Sequence, residues 1–178
     1  ILAAPNGWRD GLKDKVLTPV GKDRQAPLVP LGKCEAASLD WTQHTAWRID
    51  SKSDKNVIYL SVFDNGDGRG MEQPALPTMK YSRAVIYRLT EEDDIEQVWE
   101  YGKERGHDWY SPVTSLTRYS DKDSVMVYSA TAGMDFSLSG APRRLRVLFL
   151  MNSNGRQGAR REIQMAGSGY RAFPIRRE

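Results

Sequence analysis

A succession of short, strand-like runs separated by turn-forming clusters is the feature that most constrains the fold of this chain. The runs alternate, or are rich in β-branched and aromatic residues, and lie at 42–49, 57–63, 83–89, 95–101, 113–119, 124–130, 145–150 and 170–175. Clusters of Gly, Asp, Asn and Ser separate them, as is typical of turns. No stretch carries a convincing helical period, so the sequence predicts an all-β protein with one short helical turn within 9–17.

The order of the runs indicates two four-stranded units. The clearest hairpins are 83–101 and 113–130, so 42–101 would form one four-stranded blade and 113–175 a second. Such spacing is typical of a sandwich, a barrel or a propeller. Propellers close with about 4–8 blades, so the propeller interpretation implies an incomplete chain. The opening "ILAAPNGW" has the pattern of a strand cut part-way, and we expect a piece of a longer protein.

Composition narrows the class of partner. The 178 residues suit one domain, and a hydrophobic content of 39% indicates a globular chain. The longest apolar run, "LRVLFLM" at 145–151, falls well short of the roughly 18–20 residues that cross a bilayer, so no membrane partner is expected. The net charge of +3 comes largely from arginines beyond residue 142. So small a surplus argues poorly for nucleic-acid binding, and no nucleic-acid partner is expected.

Neither a metal nor a cofactor site is predicted. The single cysteine, Cys34, excludes an internal disulfide and a cysteine-rich metal site. The acidic loop "FDNGDGRG" (63–70) fails as an EF-hand, because Ala75 stands where a bidentate glutamate is required. It is better interpreted as a Gly-rich strand exit, with Arg69 available to face an anion. The chain has no P-loop, no GxGxxG after a strand and no HExxH.

His44 lies between two tryptophans in "DWTQHTAWRID", residues 40–50. Alternation along a strand would place small neighbours on its face and the tryptophans on the other. The predicted faces are Thr42, His44 and Ala46, against Trp41, Gln43, Thr45 and Trp47. An imidazole so placed could be presented to a ligand cavity. A histidine on an aromatic-rich strand is more often a hydrogen-bonded structural residue than a nucleophile, and the residues alone leave both interpretations open.

The second histidine, His107, lies in "YGKERGHDWYSP" (101–112) beside Asp108. The pair could act as a general base, although a solvated loop histidine is the simpler interpretation. Spacing alone therefore defines only an all-β module without an assigned activity.

Several long motifs resemble one family. "ILAAPNGW", "DWTQHTAW", "FDNGDGRGMEQPALPTMKYSRAV", "QVWEYGKERG", "YSPVTS" and "YRAFPIR" closely resemble the C-terminal part of the bacterial aryl-sulfate sulfotransferases that work without the nucleotide donor PAPS. The likeness covers residues 1–133 and again about 160–176, whereas 139–158 match less well. The resemblance implies that residues 1–178 form the C-terminal blades of a six-bladed β-propeller.

The resemblance also implies a mechanism. Family members transfer a sulfuryl group from a phenolic sulfate ester to a phenol through a transiently sulfurylated histidine, and the motif around that nucleophile matches 42–46, which places it at His44. Two further histidines and an arginine complete the family's site on blades earlier in the sequence, so this chain alone is expected to be inactive. His107 lies outside that set and is expected to be a structural loop residue. Family members commonly carry a disulfide just before the nucleophile strand. In this chain Cys34 is the only cysteine, so that disulfide cannot form within it.

The expected partners are therefore a small-molecule phenolic sulfate donor and a phenol acceptor, with no cofactor and with a periplasmic location implied by the family. A different class of function competes with this one: a non-catalytic propeller remnant that binds phenolic or anionic ligands, or other subunits. In either case, open strand edges predict self-association of the isolated chain.

Overall fold

The computed structural model describes residues 9–20, 43–66, 80–120, 124–134, 144–153 and 156–173. Within these ranges the strands are β1 (Thr18–Val20), β2 (Gln43–Arg48), β3 (Val57–Asp64), β4 (Arg83–Thr90), β5 (Asp94–Tyr101), β6 (Leu116–Ser120), β7 (Ser124–Ala132), β8 (Arg144–Ser153) and β9 (Arg156–Ala166). In the same ranges, short 3₁₀ segments lie at Lys13–Lys15 and at Lys103–Trp109, and the second is kinked at Gly106. The prediction of an all-β protein with a short helical turn near its start is confirmed.

The strands form two sheets. The first has the order β1-β5-β4-β3-β2, in which β2 to β5 are an antiparallel meander and β1 pairs parallel to β5. The second is an antiparallel meander of four strands in the order β6-β7-β8-β9. The predicted unit 42–101 is therefore present with β1 added at its edge, and the second predicted unit has its fourth strand at 156–166 instead of 170–175. Within the described ranges neither sheet closes on itself.

Two strand boundaries were predicted wrongly. The run at 170–175 is not a strand where the structure describes it, 170–173, and the last strand is β9, which begins within the predicted turn "NSNGRQG". The sequence of β9 lacks an apolar alternation, and its Ile163 and Met165 are 44% and 49% exposed. It is a strand because its backbone pairs with β8. The other boundary is the start of β6 at Leu116 instead of 113. Residues 1–8, Cys34, Arg69 and 71–79 lie outside the described residues.

A buried apolar cluster joins the two sheets. Phe63 and Ile86 of the first sheet pack with Val125 and Val127 of the second, and Trp109 from the connecting 3₁₀ helix completes the cluster. The opposite face of each sheet carries a separate cluster. These clusters are Val62, Val85, Tyr87 and Ile95 on the first sheet, and Leu116, Met126, Tyr128 and Ala130 on the second. Both faces of both sheets therefore bury apolar side chains.

The connection between the sheets is tightly packed around Trp109. This side chain is fully buried, with Tyr101 edge-on at 6.0 Å between centroids and the Arg105 guanidinium 4.9 Å from its ring. Gly102, at φ 112°, lies so close that a Cβ there would meet Trp109 Cδ1 and Ser82 O, each at 2.9 Å. Only glycine fits this position, since any side chain would combine an unfavourable φ with two clashes. The 3₁₀ segment is thereby held against the start of β4.

A buried ion cluster holds β3, β4 and β5 together at one end of the first sheet. The Arg83 guanidinium donates from Nε to Asp64 Oδ2 at 2.7 Å and from Nη1 to Glu100 Oε2 at 2.6 Å and Gln97 Oε1 at 3.1 Å. Burial by itself would lower the pKa of Arg83, but the charge of Asp64 and the hydrogen bonds to Asp64 and Glu100 outweigh it and raise the pKa above its ordinary value. The guanidinium is therefore charged at every accessible pH.

We expect Arg83→Met to destabilise the chain by about 3–5 kcal/mol, because it leaves the Asp64 carboxylate buried without its cationic partner. The side chains of Arg83 and Asp64 are only 3% and 0% exposed. The matched control is Arg88→Met, which removes the partly exposed 3.4 Å pair with Glu96 and should cost no more than about 1 kcal/mol. Denaturant unfolding measures both variants, and equal losses would show that the buried pair has no special role.

Candidate functional site

A β-bulge places His44 on the face of β2 that looks toward the second sheet. His44 pairs with Phe63 and Ala46 pairs with Val62, so Thr45 is an extra residue in the ladder. Phe63 belongs to the cluster between the sheets, and adjacent residues of β3 project to opposite faces. His44 and Ala46 therefore face opposite sides, and the prediction that they share a face is wrong. The bulge is the cause, because an inserted residue interrupts strict alternation.

Thr45 holds the bulge in a strained conformation. Its φ of 54° is rare for a β-branched residue. The hydroxyl Oγ1 lies 2.7 Å from His44 O and 3.2 Å from Ser115 O, and it donates toward both carbonyls. The second contact spans the two sheets and offsets part of the backbone strain. Strain of this kind is concentrated at functional sites, here at the residue next to the candidate nucleophile.

The imidazole of His44 is anchored through one nitrogen. His44 is partly buried, and its Nδ1 lies 2.8 Å from Oδ1 of Asn65, a fully buried residue directly after β3. Asn65 Nδ2 in turn donates to Ser111 O at 2.6 Å and to Thr114 O at 2.9 Å. An amide group has two hydrogens on its nitrogen, and both are used by these carbonyls. Asn65 thus connects His44 on β2 to the loop that precedes β6.

Buried hydroxyl groups fix that loop against β7. Ser111 Oγ lies 2.8 Å from Ser115 Oγ and 2.7 Å from Thr131 Oγ1, and it accepts the Thr131 N–H at 3.1 Å. Ser115 Oγ accepts the Ala130 N–H at 2.9 Å. Thr114 and Ser115 have φ values of 57° and 84°, which lie outside the β region and interrupt regular strand pairing. These positive angles explain why β6 begins later than predicted.

Ser82 connects the same loop to the first sheet. Its hydroxyl donates to Asn65 O at 2.7 Å and accepts the Ser111 N–H at 2.8 Å. We call Ser82, Ser111, Ser115 and Thr131 the hydroxyl cluster. Because the cluster is bonded to β3, β4 and β7, the Asn65 side chain has little freedom to move.

Sequence reasoning missed Asn65 and the hydroxyl cluster. Asn65 precedes glycine in "FDNG", which has the pattern of a turn, and Ser111 and Ser115 stand in "YSPVTS" without a charged or metal-binding neighbour. Both stretches were among the motifs that carried the family resemblance. That resemblance was the available signal, but it assigned these residues no role.

The other predicted features lie as follows. His107 is exposed on the 3₁₀ helix, with its ring stacked on Tyr110 at 5.7 Å between centroids, and its role as a structural loop residue stays a prediction. Among the residues that the structure describes, no three His, Cys, Asp or Glu side chains are grouped to hold a metal ion. The same part of the chain contains no helix of the length and apolarity needed to span a membrane.

A cavity lies at the other end of β2. It has a volume of about 320 Å³ and is lined by Trp47, Arg48, Ile49, Asp50, Ser51, Ser61, Arg118 and Tyr119. His44 is not part of its wall.

Comparison with known sequences identifies the family. The sequence model described as "Arylsulfotransferase (ASST)" matches residues 1–167. The chain belongs to the arylsulfotransferase family. The match includes the His44 strand, Asn65 and the whole hydroxyl cluster, and it also includes 139–158, onto which the motif resemblance alone was not extended.

Two curated relatives are similar to this arylsulfotransferase chain. Arylsulfate sulfotransferase AssT of Lelliottia amnigena is 45% identical over 139 residues, which cover 75% of this chain and 22% of the relative. Arylsulfate sulfotransferase AssT of Escherichia coli O6:H1 strain CFT073 is 50% identical over 131 residues, covering 71% of this chain and 21% of the relative. The chain thus spans about a fifth of the length of the curated relatives it matches.

We expect Thr45→Val to destabilise the chain by about 1–2 kcal/mol, because it keeps the strained β-branched backbone and removes the hydroxyl that bonds Ser115 O. Thr45→Ser retains the hydroxyl and should stay within about 0.5 kcal/mol of the wild type. Chemical unfolding compares the two. A valine variant as stable as the serine variant would contradict the role given to the hydroxyl.

Proposed function

We propose that the protein containing this chain is an aryl-sulfate sulfotransferase that works without PAPS and uses His44 as its nucleophile. Membership of the arylsulfotransferase family and the printed names of both relatives support the class of reaction. The observation that carries the choice of residue is the 2.8 Å hydrogen bond between His44 Nδ1 and the buried amide of Asn65. It orients the imidazole while leaving its second nitrogen available for chemistry.

The proposed reaction has two displacement steps. A ring nitrogen of neutral His44 attacks the sulfur of a phenolic sulfate ester, an N–S bond forms, and the S–O bond to the leaving phenolate breaks. The oxygen of an acceptor phenol then attacks the same sulfur, the N–S bond breaks, and its electron pair returns to the imidazole. The acceptor's proton passes to solvent, and the released phenolate takes one up. No nucleotide cofactor enters this balance.

The sulfuryl group in transit spreads negative charge over its oxygens, so cationic and hydrogen-bonding groups around it are required. The family resemblance assigns them to two histidines and an arginine earlier in the parent protein. We accordingly propose that this chain supplies the nucleophile and its support, and that the 178 residues alone do not turn over. The fraction of the relatives' length that the chain covers is in keeping with this division.

We further propose that the two sheets are adjacent blades of a six-bladed propeller in a periplasmic enzyme. Two antiparallel four-stranded meanders joined by a common apolar cluster are the expected relation of neighbouring blades. The proposed small-molecule partners are a phenolic sulfate donor and a phenol acceptor.

The test is sulfuryl transfer from 4-nitrophenyl sulfate to phenol by the full-length parent protein. The reaction is monitored through the release of 4-nitrophenolate. His44→Asn should lower kcat by at least about 1,000-fold, because the covalent route is removed. His107→Asn is the matched control, since His107 is the second histidine of the chain, and should stay within about twofold of wild type. Unchanged transfer by His44→Asn would contradict the proposal, and would favour a module that only binds phenolic or anionic ligands.

The intermediate gives an independent check. Parent protein mixed with 4-nitrophenyl sulfate in the absence of acceptor, and then quenched, should carry one sulfuryl group on the peptide that contains His44. An adduct found on another peptide would place the nucleophile elsewhere.

A further inference from the structure

We propose that Asn65 is a positioning residue that fixes the tautomer of His44, so that Nε2 is the atom that attacks sulfur. The structural part of this inference depends only on the hydrogen bonds around Asn65, and its consequence for catalysis rests on the proposed function.

The orientation of the Asn65 amide is determined by its surroundings. Nδ2 faces two backbone carbonyls, Ser111 O and Thr114 O, at 2.6 and 2.9 Å. A carbonyl oxygen accepts hydrogen bonds and cannot donate one, so only the NH₂ end of the amide can occupy this position. The reversed amide would put Oδ1 against two oxygens at hydrogen-bond distance. Oδ1 is therefore the atom that faces the imidazole.

The tautomer of His44 follows from that orientation. Asn65 Oδ1 only accepts, and it lies 2.8 Å from His44 Nδ1, so Nδ1 must carry the hydrogen. In a neutral imidazole the electron pair is then on Nε2. The Nε2–H tautomer would bring two acceptors together at 2.8 Å. A free imidazole side chain in water favours that Nε2–H form, so the fold selects the less common tautomer.

Asparagine suits this position better than a carboxylate. A carboxylate would also accept from Nδ1–H, but it has no hydrogen for the two carbonyls that face Nδ2. Its charge would favour the imidazolium, which has no nucleophilic electron pair, and would repel an anionic sulfate ester. The amide fixes the same tautomer without adding negative charge. A nucleophile that attacks an anionic sulfate ester needs such a neutral anchor.

The hydrogen on Nδ1 stays in place throughout the proposed reaction. When Nε2 bonds to sulfur the ring becomes positively charged, and Nδ1–H becomes a stronger donor to Asn65 Oδ1. When the acceptor phenol takes the sulfuryl group, the N–S electron pair returns to Nε2 and the starting tautomer is restored. No proton needs to move between the ring nitrogens during the cycle.

The decisive measurement is ¹⁵N NMR of the chain labelled at histidine. With only two histidines in the sequence, the His44→Asn variant assigns both. In the neutral form, His44 should show a protonated, pyrrole-type Nδ1 and an unprotonated, pyridine-type Nε2. The opposite pattern, or the averaged shifts of a free imidazole, overturns the proposal. This result requires no variant at Asn65 and no enzymatic activity.

Asn65→Leu tests the cause. The apolar side chain removes the acceptor, so His44 should revert to the tautomer mixture of a free imidazole. Ser129→Ala is the matched control, because it also deletes a buried hydrogen bond to a backbone carbonyl, Trp109 O at 3.1 Å, without touching Asn65. A His44 tautomer that changes equally in both variants, or in neither, contradicts the role of Asn65.

In the full-length parent protein, Asn65→Leu should lower kcat for 4-nitrophenyl sulfate about 10–100-fold, as for other partners that orient a reactive histidine. KM should change less than about threefold, because Asn65 lies buried behind His44. A loss confined to KM would contradict positioning. If Asn65→Leu keeps the wild-type kcat while His44→Asn is inactive, only the role of Asn65 is rejected. If His44→Asn is active, the proposed function itself is rejected.

Discussion

The two hydrogen bonds from the Asn65 amide to the carbonyls of Ser111 and Thr114 connect the sheets at the point where His44 emerges. Each carbonyl belongs to a loop that cannot pair as a strand, since Thr114 and Ser115 have positive φ angles. The bond to Ser111 O is buried and the bond to Thr114 O is partly buried, and a buried carbonyl without a donor would cost about 1–3 kcal/mol. The same side chain also anchors the imidazole of His44, so one residue both bonds the loop and orients the proposed nucleophile.

Strain around the site is local and is opposed by ordered hydrogen bonds. Three non-glycine residues with positive φ, Thr45, Thr114 and Ser115, lie within the same hydrogen-bonded network. Each such conformation costs on the order of 1–3 kcal/mol. The hydroxyl cluster and the apolar cluster around Trp109 fix the surrounding backbone through many contacts. A strained residue persists only where its neighbours fix it in this way. The bulge at Thr45 changes the alternation of β2, so that His44 lies on the face of Phe63 and bonds Asn65, whereas Ala46 lies on the face of Val62.

The sequence predicts the elements whose signals are local. Strands such as β3, β4 and β7 are rich in buried β-branched and aromatic residues, and their approximate positions were predicted correctly. β9 was missed because its pairing with β8, not its own pattern, makes it a strand. The face of His44 was predicted wrongly, because the bulge depends on Thr45 contacting Ser115, seventy positions along the chain. Asn65 had the local pattern of a turn residue, and its two acceptors lie 46 and 49 positions away.

His44 lies on β2, the terminal strand of the first sheet in the described part of the chain, and this placement would separate two requirements of the proposed nucleophile. One nitrogen must be held by groups that exclude water, which the interior side of β2 supplies through Asn65. The other nitrogen must be reachable by a substrate, which a central strand paired on both sides and covered on both faces would not allow. A charged anchor at the same place would hold the ring equally well but would resist an anionic donor. A neutral, fully hydrogen-bonded amide at a sheet edge meets both requirements, and it does so with residues contributed entirely by this chain.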